Sequence, residues 1–149
     1  SGTGFTAAAT VKFGGTPATP VTFVSSTVLK ATSPAGTAGT VDVTVTTAGG
    51  TSALSAADQF KYRAEPTVTG VSPASGPTAG GTVVTITGTG FTAAATVKLG
   101  GTPATVVTFV SSTILKATSP AGTAGTVDVT VTTTGGTSAT SALDQYTYL

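Results

Sequence analysis

The chain has 149 residues, a formal net charge of +1 and a charged fraction of only 7%, with no Cys, His, Met or Trp. The lack of Cys and His excludes a disulfide framework, a zinc site of the usual ligands, and the commonest general base of enzymes. Six Lys and Arg residues in all are too few for the clustered basic surface that binds nucleic acid or an anionic membrane.

Apolar residues make up 39% of the chain and commonly alternate with Thr. Such alternation is typical of ordered β-strands rather than of a flexible linker. No apolar run approaches the roughly 20 residues that a membrane helix needs. We therefore expect an all-β protein without a cofactor, and no membrane insertion in this segment.

An internal repeat dominates the sequence. A shift of 86 residues aligns residues 1–63 with residues 87–149 without a gap, and only ten of the 63 positions differ. A repeat of this length predicts a small domain rather than a solenoid unit. We expect an incomplete domain at 1–64 and a complete one at 65–149, joined by a short linker that contains Pro66. Near-identity of the copies argues against a specialised site in either one.

In chain order, the complete copy opens with a predicted strand at 67–72, a Pro- and Gly-rich corner, and a second strand at 82–87. Val84 and Ile86 share one face of this second strand. Further predicted strands cover 96–99, Val107 with Phe109, Leu115 with Ala117, and 126–132. After Gly135-Gly136 we predict a final segment that ends with residues 145–148. About seven short strands joined by Gly and Pro turns are typical of a β-sandwich.

The first copy has no counterpart of residues 66–86, so it lacks its opening strands. A sandwich without them would expose an apolar groove and unpaired strand edges. Two explanations remain open. The missing strands either belong to preceding sequence of a longer repeat array, or come from a neighbouring molecule by strand addition. Stoichiometry favours the array, since the chain holds one opening segment for two domain bodies.

The opening segment resembles an IPT/TIG domain, which has an immunoglobulin-like fold. The residues that carry the resemblance are Pro66, Val68, Val71, Pro73, Gly76, Gly80-Gly81-Thr82, Val84, Ile86, Gly88 and Phe91, and later Val127-Asp128-Val129-Thr130-Val131, Gly135-Gly136, Tyr146 and Tyr148. The resemblance implies tandem sandwiches. It does not imply one function, because the family includes transcription-factor domains, receptor ectodomains, accessory modules of carbohydrate-active enzymes and bacterial surface repeats.

Several motifs deserve comparison with known chemistry. The stretch 88–93, Gly-Thr-Gly-Phe-Thr-Ala, matches a dinucleotide fingerprint. That fingerprint needs a following helix and an acid about 20 residues later, whereas a strand-like stretch follows here, so we predict a tight turn. The Lys residues repeated in both copies are expected to be solvated charges that protect strand edges rather than activators of Ser or Thr; they are Lys12, Lys98, Lys30 and Lys116.

The repeated acids are Asp42, Asp58, Asp128 and Asp144. Isolated carboxylates are weak candidates for Ca²⁺, which takes six to eight oxygen ligands, so we predict no metal site. An isopeptide crosslink is also disfavoured, because Asn is absent and the single Glu lies in the linker. We therefore predict no catalytic, cofactor-binding or metal-binding residue.

The aromatic residues are expected to fill the core rather than to stack on sugars; they are Phe5, Phe91, Phe23, Phe109, Phe60, Tyr146, Tyr62 and Tyr148. The outward rows of Thr are expected to be solvated strand formers, with O-linked sugars as the alternative.

The sequence favours a non-enzymatic structural repeat of a secreted or cell-surface bacterial protein, such as a stalk, adhesin or filament. Its partners would be neighbouring repeats of the same array, with self-assembly by strand addition as the alternative. A second hypothesis is an accessory module of a polysaccharide-degrading enzyme that binds a carbohydrate or protein. A DNA-contacting domain is disfavoured by the low charge.

Overall fold

The computed structural model describes residues 1–149 and consists of strands and turns, with one short 3₁₀ turn at Ala56–Asp58. It divides into two compact units, unit 1 (Ser1–Arg63) and unit 2 (Ala64–Leu149). The all-β class predicted from the sequence is confirmed. No helix of the chain has the length and apolar character needed to cross a membrane.

Unit 1 contains seven strands, five of them in one sheet and two in another. They are β1 (Thr10–Phe13), β2 (Thr16–Pro17), β3 (Val21–Ser25), β4 (Val28–Ala31), β5 (Gly39–Thr47), β6 (Gly50–Thr51) and β7 (Gln59–Tyr62). One sheet has the order β2-β1-β5-β6, with β7 also paired to β5. The other consists of β3 and β4 alone, so β4 has an open edge.

Unit 2 repeats these strands and adds three at its start. They are β8 (Thr67–Ser72), β9 (Ser75–Gly76), β10 (Val83–Thr89), β11 (Thr96–Leu99), β12 (Thr102–Pro103), β13 (Val106–Ser111), β14 (Ile114–Thr118), β15 (Gly125–Thr133), β16 (Gly136–Thr137) and β17 (Gln145–Tyr148). Seven of the ten have four or more residues, as the sequence predicted.

The two sheets of unit 2 are complete. One has the order β13-β14-β10-β8, and the other has the order β12-β11-β15-β17-β9, with β16 paired to β15. Strand β9 runs parallel to β17, while the remaining pairs are antiparallel. The added strands therefore complete both sheets, and the first copy lacks them as expected.

Alternation of apolar and polar residues explains which face each strand buries. On β15, Val129 and Val131 are fully buried, while Asp128, which directly precedes Val129, is exposed. On β10, Val84 and Ile86 are buried and Val83 is exposed. Burial of such side chains stabilises each unit by about 1.5–3 kcal/mol per residue.

The cores of the two units differ in extent. That of unit 2 contains 13 buried apolar residues drawn from both sheets. That of unit 1 contains three, Val11, Phe13 and Ala18, surrounded by partly buried neighbours. Since the aligned sequences are nearly identical, the difference follows from the strands that unit 1 lacks.

Glycine permits the turn after β11. Gly100 has a φ of +57° and Gly101 one of +85°, a left-handed conformation that most side chains disfavour. The turn joins β11 to β12, and the same conformation recurs after β1 at Gly14 and Gly15. The predicted Gly-Gly turn is thus present in both units.

Candidate functional site

An apolar groove with a volume of about 660 Å³ lies in unit 1. Facing strands supply its floor, namely Val11 and Phe13 from β1, Leu29 and Ala31 from β4, Val43 and Val45 from β5, and Phe60 from β7. Polar groups lie at its margin, among them Ser52 and Asp58. The groove can accept an extended apolar segment, and it offers no cluster of groups suited to acid–base chemistry.

In unit 2 the same space is filled. The counterparts of the groove floor are Val97, Leu99, Leu115, Ala117, Val129, Val131 and Tyr146, and all of them are buried. They form one core cluster with Val68 of β8 and with Val84 and Ile86 of β10. The groove of unit 1 is therefore the space that β8 and β10 occupy in unit 2.

The repeated acids Asp58 and Asp144 cap local turns. The Asp144 Oδ2 accepts a 2.7 Å hydrogen bond from the backbone N–H of Ser141, and Asp58 accepts the equivalent 2.8 Å bond from Ser55. Reciprocal bonding of this kind is a capping box. The spacing Ser-x-x-Asp in the sequence is the signal that could have predicted this capping role.

The Asp144 carboxyl is fully buried, and its Oδ1 has no hydrogen-bond partner. Burial raises the pKa of Asp144 above its ordinary value, and the nearby charge of Asp128 raises it further, whereas the bond from Ser141 lowers it. No group of three or more His, Cys, Asp or Glu side chains is arranged to hold a metal ion.

The four Lys side chains that are repeated in the two copies are solvent-exposed, as expected for solvated charges. The prediction that they protect strand edges is wrong for Lys12 and Lys98, because their strands β1 and β11 each have a partner on both sides. It is also wrong for Lys116. Its strand, β14, lies between β13 and β10 in the middle of a sheet. The counterpart Lys30 does lie on an open edge, because β4 pairs only with β3. The same residue thus has a different setting in the two units, owing to the absence of a partner for β4.

The segment with the dinucleotide-like pattern forms a turn. Gly90 has a φ of +73°, a turn follows at 93–94, and β11 begins at Thr96. A helix N-terminus would be needed to hold a pyrophosphate, and a strand stands in its place. The predicted tight turn is confirmed.

The aromatic residues predicted to fill the core are buried, partly buried or exposed. Phe5, Phe60 and Tyr62 of unit 1 are partly buried, and the last two pack against the core of that unit. Phe91, Tyr146 and Tyr148 are buried, which confirms the predicted core role for them. The same prediction is wrong for Phe23 and Phe109, whose side chains are each 41% exposed. They lie on β3 and β13, which form sheet edges, so one side of each ring has no strand beside it. The alternation of residues along the strand predicted the face on which each ring lies. It could not show that the strand itself lies at the edge of a sheet.

Hydroxyl groups of Thr pair across neighbouring strands. The Oγ1 atoms of Thr132 and Thr137 lie 2.8 Å apart, and those of Thr126 and Thr147 lie 3.0 Å apart. Cross-strand Thr pairs of this kind contribute about 0.2–1 kcal/mol each. The outward Thr rows therefore stabilise the sheets in addition to facing solvent.

Comparison with known proteins agrees with the architecture. The IPT/TIG domain family matches residues 1–62 and again residues 66–148. Mouse (Mus musculus) Fibrocystin-L is 42% identical over 66 residues, which is 44% of this chain and 2% of that protein. Two structures of the plexin A4 extracellular region each match 94% of this chain at 20% identity, with TM-scores of 0.55 and 0.59.

These relatives are much longer than this chain. The chain spans 2% of Fibrocystin-L and 12–14% of the two plexin A4 structures. The likeness to plexin A4 concerns the fold. The same family matches both units, and unit 2 carries its opening motif at residues 66–91. The chain therefore belongs to the IPT/TIG domain family.

Proposed function

We propose that this chain is a non-enzymatic structural repeat module of a secreted or cell-surface protein, as in a stalk, adhesin or extracellular filament. The observation that carries the proposal is the near-identity of two successive sandwiches, which differ at ten of 63 aligned positions. Copies of a binding or catalytic domain with separate tasks diverge at their sites, whereas copies that serve as spacers need only keep their fold.

The composition supports an exposed location. The chain has no Cys, Met or Trp, and it has six Lys and Arg residues in 149, so oxidants and trypsin-like proteases find few targets. The similar region of plexin A4 belongs to an extracellular region by description. A bacterial surface protein with a long array of such sandwiches is the setting that we propose.

Surface accessibility tests this function. Antibodies raised against the 149-residue chain should stain intact cells that produce the full-length protein, and protease added outside should remove the stain. A cytosolic protein labelled by the same antibodies serves as the control for cell integrity. Staining that appears only after lysis would show that the protein is intracellular and would refute the proposal.

The exposed ring of Phe109 favours a second candidate, an accessory module that binds a carbohydrate or a protein. Phe109 is 41% exposed and the next residue on β13, Val110, is 51% exposed, so this edge strand presents apolar side chains to solvent. Screening the chain against soluble polysaccharides tests this candidate. Saturable binding that is lost in Phe109→Ser and Phe23→Ser together would support it, while the absence of binding to every glycan would remove its carbohydrate form.

A further inference from the structure

We infer that the outer edge of β13 is a self-association site, at which β13 pairs antiparallel with the same strand of a second copy of this chain. The inference rests on the proposed function as a structural repeat module. It adds the contact through which neighbouring molecules of such a protein associate. The counterpart strand β3 presents the same edge in unit 1.

Strand β13 is a free edge of a complete sheet. It is the terminal strand of the order β13-β14-β10-β8, so it has a partner on one side only. Its exposed side chains are largely apolar, since Val106 is 58% exposed, Phe109 41% and Val110 51%. A free strand edge with such side chains is a template for pairing with another chain.

The same edge recurs in unit 1 with the same exposure. Phe23 and Val24 of β3 are 41% and 52% exposed, close to the values of Phe109 and Val110. The two units differ in their opening strands, yet this edge is unchanged between them. Its exposure therefore does not depend on those strands.

The opposite edge of the same sheet has features that hinder pairing, and β13 has none of them. Strand β8 is flanked by Pro66 and Pro73, which have no N–H to donate. The apolar side chains of β8, Val68 and Val71, are buried or half-buried. Between Val106 and Ser111 there is no Pro, Gly or charged residue. Since proteins commonly protect free edges with such residues, their absence favours pairing at β13.

The sequence of β13 is complementary to itself. In a continuous sheet, residues that lie opposite each other point to the same face, so a two-fold axis between two β13 strands places one residue opposite its own copy. With Thr108 at this position, Val107 lies opposite Phe109 of the second molecule and covers the open side of its ring. The paired stretch runs from Val106 to Val110, so their exposed side chains lie beside the second strand.

Charge does not oppose this pairing. Within its own sheet, Thr108 lies opposite Lys116 of β14. In the pair, Lys116 and its copy would be three strand spacings apart, about 14 Å. This distance exceeds the Debye length of about 8 Å at physiological salt, so the repulsion between them is largely screened.

Each contact is small, because five paired residues extend over only about 17 Å. A stable interface usually buries about 800 Å² on each partner, so one pair of edges should associate weakly. The chain presents the edge twice, once in each unit, and linked weak contacts strengthen one another.

Sedimentation velocity of the unmodified chain tests for association, at concentrations up to on the order of 1 mM. We expect a larger species that grows with concentration. Thr22→Lys combined with Thr108→Lys places like charges opposite each other at both axes, and should weaken association at least about tenfold. Thr22→Glu combined with Thr108→Glu should do the same. An equimolar mixture of the two double variants should associate again, because opposite charges then lie across each axis.

Thr44→Lys combined with Thr130→Lys is the matched control. Both residues lie opposite a Lys in the middle of a sheet, as Thr22 and Thr108 lie opposite a Lys at an edge. The control therefore adds the same charge beside the same kind of neighbour, and it should associate as the unmodified chain does.

An unmodified chain that stays monomeric at every concentration would overturn the inference. So would association that persists in the Lys double variant, because it would then occur through another surface, such as the groove of unit 1, which no residue of β3 lines. A mixture of the Lys and Glu variants that fails to associate would overturn it too. Surface staining of cells is independent of these results, so failure of this inference and failure of the proposed function can be told apart.

Discussion

Leu29 and Leu115 occupy the same position in the two repeats, yet Leu115 is 0% exposed and Leu29 is only half-buried. The difference arises because β10 covers Leu115 and nothing covers Leu29. This pair allows the energetic value of the opening strands to be measured within one chain.

We expect Leu115→Ala to destabilise unit 2 by about 2–5 kcal/mol, the usual cost of a cavity in a packed core. Leu29→Ala should cost unit 1 clearly less, since solvent already reaches the side chain. Amide exchange in each unit, compared with that of the unmodified chain, provides the measurement. Equal losses in the two variants would mean that unit 1 is as well packed as unit 2, contrary to the structure.

Gly88 is required by space rather than by backbone conformation. A Cβ at this position would overlap the Thr67 carbonyl oxygen of β8 and would lie 2.6 Å from the ring of Phe91. Gly88→Ala should therefore force β8 and β10 apart and destabilise unit 2 by about 1–3 kcal/mol. Thermal unfolding followed by circular dichroism would show a lower midpoint.

Gly2→Ala is the matched control for Gly88→Ala. A Cβ at Gly2 would meet only the ring of Phe5, at 2.7 Å, with no backbone atom in the way. Since that ring can turn aside, the change should have a much smaller effect. A Gly88→Ala variant no less stable than Gly2→Ala would contradict the close approach of β8 and β10.

Two neighbouring tyrosines are expected to respond in opposite directions to loss of the hydroxyl. The Tyr146 hydroxyl is buried without a hydrogen-bond partner, whereas the Tyr148 hydroxyl donates a 3.0 Å bond to the Pro120 carbonyl. Tyr146→Phe should be neutral or stabilising, because it removes a buried polar group that has no partner. Unit 1 already has Phe60 at that position.

Tyr148→Phe leaves the Pro120 carbonyl without its donor and should cost about 1–3 kcal/mol. Chemical denaturation of both variants provides the comparison. Should Tyr146→Phe prove the more damaging of the two, the hydroxyl of Tyr146 must have a partner that the structure lacks.

The raised pKa of Asp144 predicts a pH dependence of stability. Burial is the main cause, so the folded state holds the carboxyl proton at pH values where the unfolded chain has released it. The stabilising contribution is therefore fully present below the ordinary value of 3.8 and is lost as the pH rises through the raised pKa. Unit 2 should become less stable across this window.

Denaturation of the chain at a series of pH values from 3 upward, with Asp144→Asn as the comparison, tests this point. Asn keeps an acceptor for the Ser141 N–H but does not titrate. The stability of unit 2 should therefore fall less steeply with rising pH in this variant. The charge of Asp128 contributes to the raised pKa of Asp144. Asp128→Asn should therefore narrow the pH range over which unit 2 loses stability. An unchanged decline in Asp144→Asn would assign the pH dependence to other groups.

Much of the fold was predictable because one pattern determines each strand. The bounds predicted for β8 and β11 agree with the structure, and the alternation around Val129 correctly predicted the inward face of β15. Gly and Pro marked the turns between them. Where a strand has neighbours on both sides, local alternation and long-range packing agree.

Properties that depend on a neighbour were less predictable. Phe109 alternates as a core residue would, but β13 lies at a sheet edge, so its ring is exposed. The burial of Asp144 depends on how the turn before β17 folds against the core, which spacing alone does not show. The groove was expected from the missing strands. Its floor could be identified only after unit 2 had shown which side chains β10 covers.

The parallel pairing of β9 with β17 has a mechanical consequence. One strand lies near the start of unit 2 and the other at its end, and the Ala74 and Gly76 carbonyls bond to the amides of Thr147 and Leu149. Tension applied to the two ends would load these bonds together in shear, so they must break together. Unit 1 has no such pair, and in single-molecule stretching it should extend at a lower force than unit 2. Completing a sandwich with its opening strands would therefore also convert a compliant link into a stiff one.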